Sequence, residues 1–379
     1  MTEQAKVPAI RFAGFTDPWE QRKASEVFQI VDDRGHPTLP VLSATQNQGM
    51  IYRDDSGRYI GHDESNEIGY KRVLPGDFVV HLRSFQGGFA HSQYEGITSP
   101  AYTVFRAKEP TSHSDRFWKH WFISEHFIAG LSTVTYGIRD GRSISVDEFM
   151  NTFLAFPAVE EQAAISRLLD YLDDLITLHQ RKYDKLVVFK KSMLEKMFPK
   201  DGESVPEIRF AGFTDPWEQR KFSDIVDVCS GKDYKHLEEG PIPVYGTGGF
   251  MTSVDEALSY DRDAVGIGRK GTIDKPYLLK APFWTVDTLF YAIPKSDMDL
   301  EFVHCSFLNV DWKSKDESTG LPSLSKEAIN ETIALVPSFN EQSRLGEFFS
   351  DLDSLITLHQ RKLELLQNIK KSLLDKMFV

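Results

Sequence analysis

The chain has 379 residues, with 44 Lys and Arg against 56 Asp and Glu, so its formal net charge is −12. This length suffices for two or three domains with hydrophobic cores of their own, and the acidic balance argues against indiscriminate binding of nucleic acid. The two cysteines, Cys229 and Cys305, lack the spacing of a zinc site and favour a reducing, cytoplasmic setting. No apolar run reaches the length of a membrane span, and the first residues contain no apolar stretch typical of a secretion signal.

The first recognisable segment occurs twice. Residues 8–23 read Pro-Ala-Ile-Arg-Phe-Ala-Gly-Phe-Thr-Asp-Pro-Trp-Glu-Gln-Arg-Lys, and residues 206–221 repeat them with one substitution. Such a repeat predicts two tandem units, about 1–199 and 200–379. The Asp-Pro-Trp triplet resembles part of an amino-methyltransferase signature, but the second proline and the glycine-rich motif that holds the methyl donor are absent. We therefore interpret the triplet as a turn with an aromatic packing anchor.

The first variable block, residues 20–156, is predicted to consist mostly of strands and loops. Short apolar runs at 77–82 and 101–105 predict strands, and the aromatic-rich stretch 117–129 predicts a helix. Two loops combine glycine with cationic or amide side chains, which can approach phosphates and read base edges. The candidate DNA-binding residues in these loops are Arg83, Ser84, Gln86, Tyr136, Arg139 and Arg142.

The second variable block, residues 218–336, repeats this plan with different residues. Runs at 264–268 and 284–293 predict strands, and 302–309 predicts a helix. The segment Gly-Arg-Lys-Gly-Thr follows the first of these strands, at the place where the other block has its glycine loop. A lone loop of this kind is more often a solvated turn, but two loops at equivalent positions favour binding. The hydroxyl-rich segment Ser-Thr-Gly-Leu-Pro-Ser, residues 318–323, stands where the first block has its basic segment 136–143. The candidate DNA-binding residues in this block are Arg269, Lys270, Thr272, Thr319 and Ser323.

Each unit ends in a long apolar-periodic segment, 157–198 and 337–378, built around the octapeptide Leu-Ile-Thr-Leu-His-Gln-Arg-Lys. The apolar residues recur at alternating steps of three and four, which predicts a coiled-coil seam on a helix. A helix of about 38 residues would be about 57 Å long. Because it cannot bury its apolar stripe alone, its obvious partner is its own copy. The predicted seam residues are Ile165, Leu168, Leu172, Leu175, Leu186, Phe189, Met193, Leu345, Phe348, Leu352, Leu355, Leu366, Ile369 and Leu373.

Charge predicts the direction of this helix pair. Each helix is acidic in its first half and basic in its second, so antiparallel packing opposes unlike charges. The midpoints of an antiparallel pair meet, which predicts that His179 and His359 lie near an internal two-fold axis. There they and two lysines, Lys182 and Lys362, would interrupt the seam as polar register pins. Four charged residues nearby are candidate partner-binding residues, with solvated charge as the alternative: Arg181, Lys185, Arg361 and Glu364.

The ordered, duplicated set of segments resembles a known family. No nuclease carboxylate–lysine cluster, zinc-protease motif, phosphate loop or nucleophile elbow is present. The chain instead resembles, over essentially its whole length, the specificity subunit of type I restriction-modification systems. The resemblance is carried by the repeated lead-in, by Gly-Arg-Lys-Gly-Thr-Ile followed by Trp-Thr-Val-Asp-Thr-Leu-Phe, and by helices that begin with Pro-x-x-x-Glu-Gln and end with Lys-Lys-Ser-x-Leu-x-Lys-Met-Phe.

The resemblance implies an α+β fold. Two tandem mixed α/β target-recognition domains would be joined by two long antiparallel coiled-coil helices, with internal pseudo-two-fold symmetry. The expected divisions are a lead-in and first recognition domain at 1–156, a first spacer helix at 157–199, a lead-in and second recognition domain at 200–336, and a second spacer helix at 337–379.

The resemblance also implies a function. Each domain would read one half of a bipartite double-stranded DNA site, and the helices would set the gap between the halves. The chain, itself non-catalytic, would direct adenine methylation and cleavage by two methyltransferase subunits and ATP-dependent restriction subunits. Those partners would hold S-adenosylmethionine, ATP and Mg²⁺, so no cofactor or metal is expected on this chain, nor any membrane contact. The alternative is a structural scaffold or anti-restriction decoy that uses the same helical rod without reading DNA.

Overall fold

A computed structural model shows two compact units. The first unit contains Met1–His179 together with Lys362–Val379, and the second unit contains Gln180–Arg361. Both unit boundaries therefore fall within the repeated octapeptide. The residues that the structure describes are 7–45, 48–57, 64–80, 88–131, 135–136, 143–200 and 202–379.

The first part of the chain mixes short strands with short helices and ends in one long helix, in agreement with the mixed fold class predicted from the sequence. Two 3₁₀ turns, Arg53–Ser56 and Glu64–Gly69, join strands. The elements are β1 (Glu20–Lys23), α1 (Ala24–Val27), β2 (Phe28–Val31), β3 (Leu42–Thr45), β4 (Gly49–Tyr52), β5 (Lys71–Val73), β6 (Phe78–Val80), β7 (Phe89–His91), β8 (Gly96–Thr98), β9 (Thr103–Ala107), α2 (Asp115–Trp121), α3 (Glu125–Leu131), β10 (Thr135–Tyr136), β11 (Ser143–Ile144), α4 (Val146–Asn151), β12 (Phe153–Phe156) and α5 (Val159–Lys196).

The second part of the chain has the same kind of composition and ends in a second long helix. One 3₁₀ turn, Trp312–Lys315, follows its middle helix. The elements are β13 (Glu218–Lys221), α6 (Phe222–Ile225), β14 (Val226–Ser230), β15 (Ile242–Gly246), β16 (Gly249–Val254), β17 (Ala264–Gly268), β18 (Tyr277–Leu279), β19 (Trp284–Thr285), β20 (Leu289–Pro294), α7 (Leu300–Leu308), α8 (Lys326–Glu331), β21 (Ile333–Val336) and α9 (Phe339–Lys376). None of the helices within the described ranges is both long enough and apolar enough to cross a membrane.

Each unit contains a four-stranded antiparallel sheet with the same order of strands. The sheet of the first unit runs β2-β9-β6-β7, and that of the second runs β14-β20-β17-β18. In each unit the lead-in strand pairs with the strand that precedes a long helix, β1 with β12 and β13 with β21. The strands that flank the two predicted glycine loops therefore occupy matching places. The second unit adds a three-stranded sheet, β16-β15-β19.

Most predicted elements are present, but two are interrupted. The helix predicted at 117–129 is split into α2 and α3, because Ser124 donates its hydroxyl to Trp121 O and accepts from Phe127 N, which ends one helix and begins the next. The strand predicted at 284–293 is split into β19 and β20. These two strands belong to different sheets, and a turn closed by a bond from Leu289 N to Val286 O separates them.

The aromatic anchor predicted for the Asp-Pro-Trp triplet is confirmed in both units. Trp19 and Trp217 are buried, at 4% and 3% exposure. Trp19 packs edge-on against Phe378, 6.3 Å between ring centroids, and Trp217 packs against Phe198 at 5.5 Å. Because Phe378 and Phe198 lie just beyond the ends of α9 and α5, each unit's hydrophobic core contains the end of a long helix.

A buried ion pair fastens each lead-in to the start of a long helix. In the first unit Arg11 Nε and Nη2 donate to the two carboxylate oxygens of Glu161 at 2.8 and 2.6 Å. In the second unit Arg209 donates to Glu341 in the same way, at 2.7 and 2.8 Å. Glutamine follows each glutamate, and Gln342 Nε2 donates to Pro337 O at 3.0 Å. The Pro-x-x-x-Glu-Gln motif therefore anchors the start of each long helix to the lead-in of the same unit.

Each unit also pairs an aspartate from one long helix with a lysine from the other. In the first unit Asp173 of α5 bonds to Lys370 of α9. In the second unit Lys190 of α5 donates to both carboxylate oxygens of Asp353 of α9, at 2.6 and 2.7 Å. The acidic half of one helix therefore faces the basic half of the other within each unit. The predicted meeting of His179 with His359 involves both units and stays a prediction.

The predicted seam is only partly buried. Phe189, Leu355 and Ile369 are 44%, 44% and 40% exposed, whereas Leu169 and Phe349, which lie outside the predicted seam, are almost completely buried. Phe189 nevertheless contacts the predicted seam residue Phe348 of the other helix, with 6.4 Å between the ring centroids. In the first half of each helix the most buried face turns toward the aromatic core of its unit, which buries Leu169 and Phe349 and leaves Leu355 exposed. The predicted core-type lysines, Lys182 and Lys362, are likewise exposed, as expected for charged groups that water solvates.

Candidate nucleic-acid interface

The basic loop 269–272 of the second unit leaves the end of the buried strand β17. The backbone N–H groups of Arg269 and Lys270 both donate to Thr288 O, at 2.8 and 3.3 Å. A side chain at Gly268 would place its Cβ 2.0 Å from Thr272 O, so this close turn requires glycine. The loop is therefore held by backbone contacts, and the two cationic side chains project from a fixed base.

A second loop, residues 316–323, lies directly against the basic loop, although residues 273–315 separate the two loops in the sequence. Lys270 forms an isolated antiparallel bridge with Ser323. Gly271 N donates to Pro322 O at 2.8 Å, and Leu324 N donates to Arg269 O at 3.0 Å. The predicted residues Arg269, Lys270, Thr272, Thr319 and Ser323 thus belong to one surface, which the sequence presents as two separate loops.

An aspartate organises this second loop from within. Asp316 Oδ1 accepts the backbone N–H groups of Ser318 and Ser323, at 2.9 and 3.0 Å. These hydrogen bonds from Ser323 and Ser318 hold the pKa of Asp316 below its usual range. The carboxylate therefore stays ionised and keeps the exposed Thr319 at the tip of the loop.

A hairpin also approaches Gly271. The turn between β15 and β16 brings Thr247 Oγ1 to 3.9 Å from the position of a Cβ on Gly271. Tyr277 OH donates to Gly246 O at 2.6 Å, which ties the hairpin to β18, and burial raises the pKa of that phenol. Three segments consequently meet at Gly271: the basic loop, the 316–323 loop and the hairpin tip.

The two cations of the basic loop differ in their surroundings. Arg269 Nη1 lies 3.4 Å from Asp287 O, and the guanidinium carbon lies 5.7 Å from the centroid of the Phe290 ring. This side chain is partly ordered before any ligand binds. Lys270 is exposed, and no salt bridge to it exists within the described ranges. A partly ordered guanidinium beside a free ammonium on a glycine loop can position a phosphodiester backbone.

We expect Gly268→Ala to destabilise the second unit by about 1–3 kcal/mol, since the new Cβ would overlap Thr272 O and force the backbone to shift. Urea denaturation followed by tryptophan fluorescence measures this change. The matched control is Gly248→Ala in the adjacent hairpin, where no atom lies within 4 Å of the new Cβ. A Gly268→Ala variant as stable as the control would contradict the proposed fit.

One DNA-binding candidate of the first unit lies within the described residues. Tyr136 is the last residue of β10 and pairs with Ser143 of β11. The other candidates lie outside the described residues: Arg83, Ser84, Gln86, Arg139 and Arg142. The four candidate partner-binding residues are exposed, as predicted: Arg181, Lys185, Arg361 and Glu364.

Sequence reasoning missed several residues around the basic loop. Lys232 is exposed, and its backbone N–H donates at 2.9 Å to the carbonyl of Thr285, three residues before the Thr288 carbonyl that holds the basic loop. Its position directly after strand β14, in a Gly-Lys-Asp-Tyr-Lys segment, was an available signal. Phe250, Met251 and Leu321 are large exposed apolar residues on the neighbouring segments. No local pattern marked them, because their proximity to Gly271 arises only in the folded chain.

One cluster in the first unit has ligand atoms close enough for a metal. His120, Asp170 and Asp173 place such atoms within 4.8 Å of one another. Lys119 Nζ, however, lies 3.1 Å from Asp170, and Lys370 bonds to Asp173. Burial alone would raise the pKa of Asp170, but the hydrogen bond to His120 and the charge of Lys119 outweigh it and place that pKa well below its usual range. We interpret the cluster as an ion-pair network, because cations already neutralise both carboxylates.

Comparisons with known proteins point to one family. Residues 214–368 match the family described as the type I restriction modification DNA specificity domain. The specificity subunit of the type I restriction enzyme MjaVIII from Methanocaldococcus jannaschii is 24% identical over 266 residues, which cover 60% of this chain and 61% of that subunit. The chain thus spans about three fifths of this curated relative's length.

Solved structures show the same fold. A crystal structure of the S subunit of a type I restriction-modification system from M. genitalium matches with a TM-score of 0.66 at 17% identity, and covers 98% of this chain and 99% of that one. A chain from a structure of complex assembly and conformational transition in the type I R-M system matches with a TM-score of 0.52 at 15% identity, and covers 95% and 97%.

Proposed function

Since the chain belongs, through residues 214–368, to the family of the type I restriction-modification DNA specificity domain, we propose that it is the non-catalytic subunit that selects the DNA sequence for such a system. The observation that carries this proposal is the position of the basic surface. The matched range encloses all three segments that meet at Gly271, which supports our assignment of phosphate and base contacts to this surface.

The two units support a bipartite target. Each unit has a four-stranded sheet of the same strand order. In the sequence, the segments that follow the matching strands β6 and β17 are glycine-rich or basic. We assign one half-site of double-stranded DNA to each unit, with residues 1–156 and 200–336 as tandem target-recognition domains. The long helices, 157–199 and 337–379, form the antiparallel coiled-coil spacer with pseudo-two-fold symmetry that separates the half-sites.

Partner subunits perform the chemistry in this proposal. Two methyltransferase subunits, and restriction subunits for cleavage, hold S-adenosylmethionine, Mg²⁺ and ATP, and the complex works in the cytoplasm. Two features of the chain support this division of labour. Its net charge of −12 suits a DNA reader whose partners add positive charge, and the exposed charges of the long helices offer docking positions, among them Arg181 and Glu364.

The experiment that tests the function is a map of methylated adenines. The chain is expressed with its methyltransferase subunits in a host that lacks the system, and methylated adenines are mapped across the genome with and without this chain. We expect methylation at one bipartite motif only when the chain is present. Equal methylation without it, or none with it, would favour a scaffold or decoy that does not read DNA.

The Arg269→Ala, Lys270→Ala double variant should lose recognition of one half-site and keep the other. These two cations make the phosphate and base contacts of the second unit in our proposal, and loss of such contacts costs about 1–3 kcal/mol each, or roughly 10- to 100-fold in affinity. Filter binding of the assembled methyltransferase to duplexes mutated in one half-site at a time measures the change. Lys326→Ala, an exposed cation on α8 in the same unit, is the control. Unchanged binding would remove the basic loop from the DNA contact surface.

A further inference from the structure

Three large apolar side chains remain exposed around the basic loop. Phe250, Met251 and Leu321 are 63%, 52% and 67% exposed, and we call them the apolar rim. Single exposed apolar residues are common on protein surfaces and need no explanation. These three, however, lie on the two segments that meet the basic loop at Gly271.

Backbone contacts place the apolar rim. Leu321 immediately precedes Pro322, whose carbonyl accepts the Gly271 N–H at 2.8 Å. Phe250 and Met251 follow the hairpin tip, where Thr247 approaches Gly271. The segments that carry the rim therefore lie next to the segment that carries the cations, and Phe250 and Met251, as consecutive residues of a strand, project to opposite faces of the hairpin.

Contacts within and next to the hairpin order the side chains of Phe250 and Met251. A Cβ on Gly246 would lie 2.6 Å from Met251 Sδ, so the absent side chain makes room for the methionine. Phe250 stands opposite Tyr245, with 6.3 Å between the ring centroids. Tyr277 anchors the turn through Gly246 O. An ordered side chain loses less conformational entropy on binding than a mobile one.

Cations and apolar groups have different tasks at a DNA surface. Contacts of lysine and arginine with phosphates fix orientation and carry no sequence information, and their contacts with base edges favour guanine. Apolar contact with the 5-methyl group of thymine, in contrast, distinguishes thymine from cytosine in the major groove. We infer that the apolar rim packs against thymine methyl groups in the half-site of the second unit. This inference rests on the proposed function and assigns the preference for thymine to Phe250, Met251 and Leu321.

The test pairs changes in the protein with changes in the DNA. Each thymine of the second half-site is replaced in turn by deoxyuridine, which lacks only the methyl group, and binding by the assembled methyltransferase is measured. For the wild-type chain we expect about a fourfold loss of affinity at one position or more, the equivalent of about 0.8 kcal/mol for one buried methyl group. In Phe250→Ala or Leu321→Ala, the thymine duplex should bind more weakly and that deoxyuridine penalty should disappear.

Tyr260→Ala is the matched control. Tyr260 is 64% exposed in the same unit but precedes the opposite end of β17, so its removal should leave the deoxyuridine penalty at fourfold. Urea denaturation verifies that every variant is folded, and Phe250→Leu, which keeps an apolar side chain, should retain part of the penalty.

Two failures can be told apart. If the wild-type complex binds the half-site but no deoxyuridine position weakens binding, or if the penalty persists in both rim variants, the inference about thymine is wrong while the proposed function stands. A recognised half-site without an A·T pair overturns the inference equally. If the wild-type complex does not distinguish the half-site from other DNA, the proposed function itself fails.

Discussion

Insertion of four residues after Lys182 and four after Lys362 is expected to lengthen the gap between the two half-sites by about one to two base pairs. Four helical residues add about 6 Å, and B-DNA rises about 34 Å per turn of 10 base pairs. The insertion points lie between the ion-paired residues of each helix, so the pair Asp173–Lys370 and the pair Lys190–Asp353 both remain within intact segments. Each unit should therefore keep its own half-site.

The measurement is the same map of methylated adenines, read now for gap length. Thr177→Ala with Thr357→Ala changes two exposed residues of the octapeptides without changing helix length, and should leave the gap as it is. A changed half-site with an unchanged gap would show that the long helices do not set the spacing. An insertion in α5 alone should disturb assembly more than the paired insertion, because the two helices would then differ in length.

Glu341→Ala should destabilise the second unit by about 3 kcal/mol. The substitution leaves Arg209, whose side chain is 12% exposed, without its carboxylate partner, and removal of one member of a buried pair typically costs about 3–5 kcal/mol. We take the lower figure because Arg209 Nη2 keeps its hydrogen bond to Asp215 O at 2.7 Å. The hydrogen bond that Arg209 donates to Glu341 raises the pKa of the guanidinium. The arginine stays charged without this partner too, because an arginine side chain is not deprotonated in proteins.

Urea denaturation with tryptophan fluorescence detects this loss, because each unit contains tryptophans of its own. Glu347→Ala breaks an exposed pair with Arg344, in which the side chains are 60% and 64% exposed, and should cost less than about 1 kcal/mol. Glu161→Ala, the equivalent change in the first unit, should act on that unit instead. A loss below about 1 kcal/mol for Glu341→Ala would mean that the lead-in does not depend on this ion pair.

Local pattern predicted the long helices well. The segments expected at 157–198 and 337–378 contain α5 and α9, which differ from them by two residues at each end. A period of three and four over so many residues has no other regular structure that fits it. The same pattern misplaced the buried face at Leu355 and Ile369, because the partner of a helical face is decided by the tertiary fold and not by the helix.

The candidate interface was predictable only in pieces. Composition predicts binding by residues 269–272, and the serines and threonine of residues 318–323 predict it for that segment. Nothing in either stretch indicates that Lys270 bridges Ser323, since that contact depends on how α7 and the strands between them fold. The apolar rim was not predicted for the same reason, because its position near the basic loop also depends on the tertiary fold. Residues distant in sequence acquire a joint function through contacts that local propensity cannot encode.

The presence of Phe378 in the core of the first unit has a consequence for synthesis on the ribosome. Domains generally fold from the N-terminus as the chain emerges. Here Trp19 and Phe117 pack against the ring of Phe378, which is translated more than 250 residues later. The second unit receives Phe198 early and can close its core without delay. The unit that is made first is therefore finished last, and a nascent chain stopped short of residue 377 would carry an exposed aromatic cleft at its beginning.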